Sequence, residues 1–448
     1  MTTSLRVVLI LLGLSLLGLV LTGMTVYARL TYLWAFLLAV SWLWSRLSLR
    51  GIELERRTRT LRAHVGQIFE ERFLVENQAR LPRLWLQIRD RADLPGSRGS
   101  RVLTLIGAGE RRMYRARSRL VQRGVFALGP TEVVSGDLFG LFPVSRSVPS
   151  QGTLLVYPMM VDVRSFPSPP GLLPGGDALR LRTHQVTPNA SGVREYVPGD
   201  PLNRIHWLSS ARRADRQNQL IVKEFELDPM AEVWILLDAD ARVQIAKPHA
   251  PPEQAVETIW SRWTEVTLPP STEEYAVTIA ASLARHFLHR DRAVGLISNN
   301  QPSQRAPDVL PPDRGGRQLG KILEVLAPLQ AEGDLSISAL MAAHAQHMPR
   351  GSTVIVVTPS IDHEVALAAD LLSQRGLRPV IVLINAASFG GAVGTDELAD
   401  LVRAVGVPVC QVENGDDLTT ALSFALDLTG KRSAALSRTQ LASRMVRS

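Results

Sequence analysis

The sequence predicts a multidomain protein with an N-terminal transmembrane helical hairpin, a β-sandwich and a doubly wound α/β domain. Three observations lead to this fold class. Two long apolar runs open the chain, short strands of period two follow them, and apolar strands then alternate with amphipathic helices. The predicted boundaries are 1–50 for the hairpin, 51–150 for the β-sandwich, 151–230 for a connector with a polar motif, 231–430 for the α/β domain and 431–448 for a basic tail.

The composition excludes several classes of protein. The chain has 448 residues, of which 46% are hydrophobic and 21% charged, so it is too apolar to be disordered and too charged for a polytopic transporter. The only cysteine is Cys410, which excludes an intramolecular disulfide and a Cys-based metal cage within one chain. The net charge of +8 suggests nucleic acid or an anionic membrane surface as a neighbour. Because aromatic residues make up only 6%, little is available for stacking on bases.

The first predicted element is the membrane hairpin. No residue between positions 7 and 28 is charged, and a helical run of that length spans a hydrocarbon core of about 30 Å. A second apolar run, 30–45, is slightly short, but Arg29 and Arg46 flank it and can reach the interfaces. A cleaved signal peptide is the alternative, and the second run that follows at once argues against it. The predicted helices cover about residues 6–28 and 30–47.

Basic residues determine the predicted orientation of the hairpin. The turn carries only Arg29, whereas segment 46–62 carries six arginines and two glutamates. We therefore expect a two-pass protein of the cytoplasmic (inner) membrane with both termini in the cytosol. Segment 46–62 would lie on anionic headgroups. This placement accounts for much of the basic charge and weakens the case for a nucleic-acid partner.

The second predicted element is the β-sandwich, because short runs in this region alternate polar with apolar residues. Turn residues such as Pro95-Gly96 and Gly129-Pro130 separate the runs. No cluster of side chains here has a catalytic pattern, so the hypothesis is a structural or interaction module. The predicted strands are 67–76, 84–90, 101–106, 112–120 and 124–128.

A connector rich in proline and glycine, 166–176, precedes the most polar stretch of the chain. In that stretch Pro198-Gly199-Asp200-Pro201 predicts a turn, and Asp200 is placed to cap a helix over 202–210. The charges are more numerous than packing requires, and they could form either a satisfied structural network or a partner-binding surface. The candidate residues are Arg194, Glu195, Tyr196, Gly199, Asp200, Arg204, His206, Trp207, Arg212, Lys223 and Glu224.

The series SGVREYVPGDPLNRIHW, SAR and LIVKEFE within residues 191–226 resembles the motif of the DUF58 family of bacterial membrane-associated proteins. RGVFALGP (123–130) and SGDLFGLF (135–142) resemble that family's approach to the motif, although Leu138 stands where the family usually has proline. The resemblance implies two membrane helices, a β domain and a von Willebrand factor A-like domain. It also implies partners, namely MoxR-type AAA+ ATPases and transglutaminase-like membrane proteins.

The C-terminal half is predicted to be a parallel sheet covered by helices on both faces, because continuous apolar strands alternate with helical patterns. The predicted strands are 232–237, 293–298, 353–358, 379–384 and 407–412. The predicted helices are 273–290, 318–329, 362–374, 396–405 and 416–428.

Ligands of such sheets bind at the carboxyl ends of the strands. The residues predicted there are Asp238, Asp240, Ser298, Thr358 and Ser360. The von Willebrand resemblance implies a magnesium site with Asp-x-Ser-x-Ser after the first strand. In this chain Asp240 replaces the first serine and Arg242 the second, and a fixed positive charge opposes a metal. Two alternatives remain, a degraded magnesium site on Asp238 and Asp240, or an ion pair of Arg242 with these carboxylates.

Other ligand patterns are weak. His286 with His289, and His344 with His347, are i,i+3 pairs on predicted helices, but no acidic ligand motif accompanies either pair. The sequence contains no phosphate-binding loop, no dinucleotide motif and no G-x-S-x-G elbow. We therefore do not expect the chain to be an ATPase, and we expect no resident cofactor apart from a possible magnesium ion.

The main hypothesis is a non-enzymatic, membrane-anchored cytosolic scaffold or adaptor. It would recruit protein partners, with a MoxR-type AAA+ ATPase system in envelope-related assembly as the partner that the resemblance implies. One alternative is a membrane-associated hydrolase that uses Glu195, Asp200 and His206. The other is a divalent-metal-dependent binding protein that uses Asp238 and Asp240.

Overall fold

The structure is a computed structural model. It describes residues 2–97, 99–149, 152–166, 190–195, 205–207, 210, 220–225, 232–248, 267–299 and 308–423. The connector beyond residue 166 and the predicted basic tail 431–448 lie outside these residues.

The chain opens with two antiparallel helices, α1 (Thr3–Thr22) and α2 (Thr25–Ser48), joined at Gly23, whose φ of 64° suits the tight turn. Small and polar residues lie between the helices: the Thr31 hydroxyl donates to Ser15 Oγ at 3.2 Å. Only 11% and 6% of their most apolar stretches are buried in the protein. Their length and composition are therefore those of membrane-crossing helices whose apolar surface is uncovered.

Ten strands follow the helices, and the five predicted strands all lie within one residue of their predicted bounds. The strands are β1 (Ile52–Thr58), β2 (Arg62–His64), β3 (Ile68–Asn77), β4 (Arg83–Asp90), β5 (Arg101–Ile106), β6 (Arg111–Arg119), β7 (Gly124–Ala127), β8 (Thr131–Ser135), β9 (Val144–Val148) and β10 (Thr153–Tyr157). The predicted domain boundary at residue 150 falls between β9 and β10, yet β10 pairs with β2 and β7 of the same β region.

Two sheets of this region enclose one apolar core. The sheet β1-β3-β6 contributes Phe73 and Tyr114, whose rings stack with centroids 5.0 Å apart, and the sheet β5-β4-β8-β9 contributes Leu86 and Ile88. Alternate residues of β3 are buried, as expected for a strand with one face in a core. The third sheet, β2-β10-β7, borders a smaller cluster around Leu154.

A buried charged cluster crosses this core. Arg56 of β1 donates from Nε to Glu71 Oε1 at 2.7 Å and from Nη1 to Asp90 Oδ1 at 2.8 Å. Because Glu71 and Asp90 belong to β3 and β4, this cluster connects the two facing sheets. Burial raises the pKa of Glu71, while the nearby guanidinium of Arg56 opposes the rise.

The C-terminal half holds one six-stranded sheet in the order β15-β14-β13-β16-β17-β18. All neighbouring strands are parallel except β15, which lies antiparallel at the edge beside β14. The strands are β13 (Val233–Leu237), β14 (Val294–Ser298), β15 (Asp308–Asp313), β16 (Thr353–Thr358), β17 (Arg378–Ile384) and β18 (Val409–Val412).

Helices cover both faces of this sheet, as the pattern of continuous apolar strands predicts. One apolar cluster lies beneath α3, α4 and α8, and the other beneath α5, α6 and α7. Sequence patterns predicted neither β15 nor α5. The helices are α3 (Thr272–Leu288), α4 (Gln318–Leu326), α5 (Ile337–His344), α6 (Glu364–Gln374), α7 (Thr395–Ala404) and α8 (Leu418–Ala421).

The β region and the α/β region are in direct contact. Arg123, in the turn between β6 and β7, has a side chain that is 3% exposed and forms ion pairs with Glu273 and Glu274 at the start of α3. The same guanidinium donates to the carbonyl of Leu329 at 2.6 Å. After β10, Phe166 joins the apolar core of the α/β region. The two regions therefore share buried charged and apolar contacts.

Candidate functional site

The polar edge of the six-stranded sheet lies where β13 and β16 end. Asp238 directly follows β13, is 3% exposed, and its Oδ2 accepts a hydrogen bond of 2.6 Å from the hydroxyl of Thr358, the last residue of β16. Its Oδ1 accepts from the backbone N–H of Asp240 at 3.1 Å. Burial raises the pKa of Asp238 to about 6, although both hydrogen bonds oppose the rise.

The second carboxylate of this edge is already paired with a cation. Arg242 donates to Asp240 from Nε at 2.9 Å and from Nη2 at 2.6 Å, and its backbone N–H adds a third bond at 3.0 Å. These bonds hold the pKa of Asp240 below its usual range. Arg242 also donates to the carbonyl of Asp334 at 3.1 Å, which fixes the guanidinium in place. The sequence predicted an ion pair of Arg242 with Asp238 or Asp240, and in the structure the partner is Asp240.

The loop that carries both aspartates is held by backbone contacts. Gly333 donates to the carbonyl of Ala239 at 2.9 Å and accepts from the N–H of Ala241 at 2.9 Å. A Cβ at Gly333 would lie 2.1 Å from the carbonyl oxygen of Asn299, so only glycine allows this approach. Further along, Gln244 donates to the carbonyl of Asp238 at 2.8 Å. The loop is therefore fixed rather than open to rearrangement.

The hydroxyl residues of this edge support neighbouring backbone. Thr358 Oγ1 accepts from the N–H of Ser360 at 2.9 Å while it donates to Asp238, and Ser360 Oγ accepts from the N–H of Asp362 at 3.2 Å. Ser298, at the end of β14, is fully buried, and its hydroxyl has no hydrogen-bond partner among the described residues.

This donor set does not fit a magnesium ion as it is arranged. Magnesium requires several oxygen ligands in octahedral geometry. Here the guanidinium of Arg242 donates to both oxygens of Asp240, and Asp238 accepts two hydrogen bonds of its own. Within the described part of the chain, no group of three His, Cys, Asp or Glu side chains is arranged to hold a metal.

The histidine pairs of the sequence have structural contacts. His286 Nδ1 lies 2.7 Å from the carbonyl of Val163 and 2.8 Å from Nη1 of Arg290. Burial lowers the pKa of His286. The rings of His344 and His347 have centroids 6.2 Å apart, and burial also lowers the pKa of His344.

The polar motif that the sequence singled out is described in part. Its strands β11 (Ala190–Glu195) and β12 (Ile221–Phe225) form an antiparallel pair in which Val193 is opposite Lys223 and Gly192 opposite Glu224. Arg194 and Glu195 are thus on one strand of the ribbon, and Lys223 and Glu224 on the other. For these four residues only the backbone is described.

Between these two strands the motif is described at residues 205–207, 210 and 220. Ile205 bridges to Val222 of β12, and the carbonyl of His206 accepts from Ser210. Trp207 is 66% exposed, so its indole is not packed in an apolar core. The predicted residues that lie outside the described part of the chain are Tyr196, Gly199, Asp200, Arg204 and Arg212. Any convergence of Glu195, Asp200 and His206 therefore stays a prediction.

The buried charges of Arg56 and Arg123 were not recognised as important in the sequence. Arg56 occupies an inward position of β1, and its neighbours on β3 and β4 are distant in sequence. Arg123 stands in the RGVFALGP stretch, but nothing local distinguishes it from the exposed arginines around it. An arginine among alternating apolar positions is the one signal that could have identified Arg56.

Comparison with known proteins relates this chain to a family through the polar motif. The model of "Protein of unknown function DUF58" matches residues 192–259. An uncharacterized protein of Bacillus subtilis (strain 168), YeaD, is 30% identical over 122 residues, which cover 26% of this chain and 29% of YeaD. The matched part thus spans less than a third of that relative.

Similarity to solved structures is too low to bear on the fold. The CARDB domain of the PF1109 protein from Pyrococcus furiosus is 12% identical, with a TM-score of 0.17 over 23% of this chain and 91% of that chain. The alkylpurine DNA glycosylase AlkC of Pseudomonas fluorescens is 15% identical, with a TM-score of 0.17 over 32% of this chain and 41% of that chain.

Proposed function

We propose that this chain is a membrane-anchored adaptor that presents a rigid protein-binding body beside the bilayer. In this proposal the α1–α2 hairpin is the anchor, and the β region and the α/β region form the body. The DUF58 motif, on the β11–β12 ribbon and the residues around it, is the partner-binding surface. The resemblance noted above names the expected partners: a MoxR-type AAA+ ATPase system and transglutaminase-like membrane proteins.

The observation that carries this proposal is a continuous series of contacts from the hairpin to the α/β region. The Ser45 hydroxyl of α2 donates to the carbonyl of Phe142 at 2.5 Å, which connects the anchor to the β8–β9 loop. Arg123 then connects the β region to α3 through buried ion pairs with Glu273 and Glu274. A body held in this way keeps a fixed orientation relative to the anchor, as an adaptor requires.

The sheet edge supports binding rather than catalysis as the role of the α/β region. A general acid or base has to reach a substrate proton. Asp238 is buried and accepts from Thr358, and Asp240 is held by Arg242. The strand order, with its antiparallel edge strand β15, agrees with the von Willebrand A-like domain that we propose, a fold used here as a platform.

The test is affinity capture of the full chain from gently solubilised membranes, with bound proteins identified by mass spectrometry. The Arg194→Ala/Asp200→Ala/Arg204→Ala variant tests the motif. Its matched control removes the same charges from the α/β surface, with Arg375→Ala/Asp400→Ala/Arg403→Ala, where Asp400 is 78% exposed. Both variants are checked for a wild-type unfolding transition.

We expect an AAA+ ATPase to be captured by the wild type and by the control variant, and to be lost from the motif variant. If both variants capture the ATPase equally well, the motif is not part of the partner-binding surface. A hydrolytic activity that disappears with Asp200→Asn, while folding and capture stay intact, would favour the hydrolase that uses Glu195, Asp200 and His206.

A further inference from the structure

A pocket of about 500 Å³ lies where the open end of the hairpin meets the β8–β9 loop. Its walls come from three parts of the chain: Thr2 and Leu5 at the start of α1, Trp42 and Arg46 near the end of α2, and loop residues that include Phe142. Because α1 and α2 are antiparallel, the start of α1 and the end of α2 lie at the same level. In a membrane-crossing hairpin this level is that of the lipid headgroups.

The loop that closes the pocket is rigid. Asp137 is 1% exposed, and its carboxylate accepts from the N–H of Phe142 at 2.7 Å and from the N–H of Phe139 at 3.0 Å. Gly140 adopts a φ of 67° to complete the turn. Contacts then connect the loop to both helices: Thr2 donates to the carbonyl of Leu141 at 3.0 Å, in addition to the Ser45 bond described above. The pocket is thus built by fixed elements.

The chemistry of the lining selects an anion with an apolar part. Arg46 is the one charged residue of the lining, and its guanidinium lies 5.1 Å from the ring centroid of Trp42. Among the described residues, Arg46 has no carboxylate partner within ion-pair distance. A guanidinium suits a phosphate, and an indole beside it suits the boundary between headgroup and acyl chain. The remaining walls, with Leu5 and Phe142, are largely apolar.

The loop also presents apolar side chains beside the pocket. Leu138 is 66% exposed and Phe139 is 57% exposed, although Asp137 and Leu141 on either side are buried. Large apolar side chains exposed on a loop at the end of two apolar helices are expected to enter the bilayer surface. This position favours a membrane lipid over a phosphate compound from solution.

We propose that this pocket binds one anionic phospholipid, with Arg46 in contact with its phosphate and Trp42 beside its glycerol. The lipid would fix the β8–β9 loop against the bilayer and thereby set the height of the whole body above it. This inference rests on the membrane anchor of the proposed function, and it adds a ligand that neither the anchor nor the partner surface requires.

The test measures lipid binding to the full chain in mild detergent by native mass spectrometry, with phosphatidylglycerol and phosphatidylcholine titrated separately. Arg46→Gln removes the charge from the pocket. Arg29→Gln is the matched control, because it removes the same charge from α2 at the opposite end of the hairpin. Val144→Trp keeps Arg46 but fills the pocket, since Val144 belongs to its lining.

We expect the wild type and Arg29→Gln to retain one phosphatidylglycerol in preference to phosphatidylcholine. Arg46→Gln should weaken phosphatidylglycerol binding about fivefold, the typical effect of one basic residue at an anionic surface. Val144→Trp should weaken the binding of both lipids. Unfolding of each variant in detergent is followed to confirm that the fold is intact.

Equal binding by Arg46→Gln and Arg29→Gln would overturn the lipid site. So would binding of sn-glycerol 1-phosphate alone as tight as that of the lipid, since the ligand would then come from solution. Extraction of membranes at alkaline pH separates these results from failure of the anchor. Release of the wild-type chain would contradict the hairpin itself, whereas a retained chain without lipid selectivity contradicts only the pocket.

Discussion

Arg123 and Glu273 are 150 residues apart in the sequence, and their side chains meet at 2.5 Å between Nη2 and Oε1. This contact joins the turn after β6 to the first turn of α3. The Arg123 side chain is 3% exposed and that of Glu273 is 25% exposed, so the pair is largely shielded from water. This buried arginine is therefore one of the contacts that hold the β region and the α/β region together.

Removing this arginine should weaken the contact between the two regions. We expect Arg123→Met to lower the free energy of unfolding by about 3–5 kcal/mol, because two carboxylates lose their partner inside the contact. The control is Arg62→Met at the exposed Arg62–Glu324 pair, which joins the same regions with side chains 66% and 40% exposed. That variant should cost at most about 1 kcal/mol. Equal costs, measured by denaturant unfolding of the full chain in detergent, would contradict a buried connection.

The stability of the sheet edge should depend on pH through Asp238. Its pKa is about 6 in the fold and 3.8 ordinarily, so the folded state holds the proton more tightly than the unfolded state. The contribution of Asp238 is then most favourable below pH 4 and is lost as the pH rises through 6, by about 3 kcal/mol in total. We expect Asp238→Asn to remove this loss. The free energy of unfolding of both proteins is measured from pH 4 to 8. If the two curves run parallel, burial of Asp238 makes no pH-dependent contribution to stability.

Magnesium should not stabilise the wild-type chain, because Arg242 covers Asp240. In Arg242→Ser the guanidinium no longer covers Asp240, whose Oδ1 keeps only the bond from the backbone N–H of residue 242. The loop then becomes Asp-x-Asp-x-Ser. We expect magnesium to raise the melting temperature of this variant and not that of the wild type, because a ligand that binds only the folded state stabilises that state. If the wild type shows the rise and Asp238→Ala abolishes it, the divalent-metal-dependent binding protein becomes the better hypothesis.

Cys410 should be unreactive until the α/β region unfolds. Its side chain is 3% exposed, and burial raises the pKa of the thiol to about 12, so almost no thiolate forms near neutral pH. We expect a thiol reagent to label the native chain far more slowly than the chain in denaturant. Labelling is counted by mass spectrometry. Rapid labelling of the native chain would mean that β18 opens frequently.

Local patterns predicted much of the fold. The period of two in β3 and β4 and the continuous apolar strands β13, β16 and β17 are properties of neighbouring residues, and each of these strands lies close to its predicted bounds. The two apolar runs do form helices, but the predicted bounds of 6–28 and 30–47 were wrong, because the turn lies at Gly23 and the helices are Thr3–Thr22 and Thr25–Ser48. The sheet edge followed from the rule that strand ends carry ligands, which pointed to Asp238 and Asp240.

The features that sequence patterns did not predict depend largely on contacts between residues that are distant in the sequence. The pairing of Asp238 with Thr358 spans 120 residues, and that of Arg123 with Glu273 spans 150. The strand β15 was missed because two consecutive prolines are not typical of a strand. The helix α5 has eight residues and begins at the cap Ser336, so its periodic pattern is too short to stand out.

Those same prolines determine how the sheet can grow. Pro311 and Pro312 lie within β15, at one end of the six-stranded order, and neither has an N–H to offer. Successive N–H groups of a strand point to opposite sides, so the outer side of β15 lacks at least one donor that a further strand would need. This border is therefore protected against self-association by strand addition. Strand addition to this sheet would therefore have to use β18, at the opposite end of the six-stranded order.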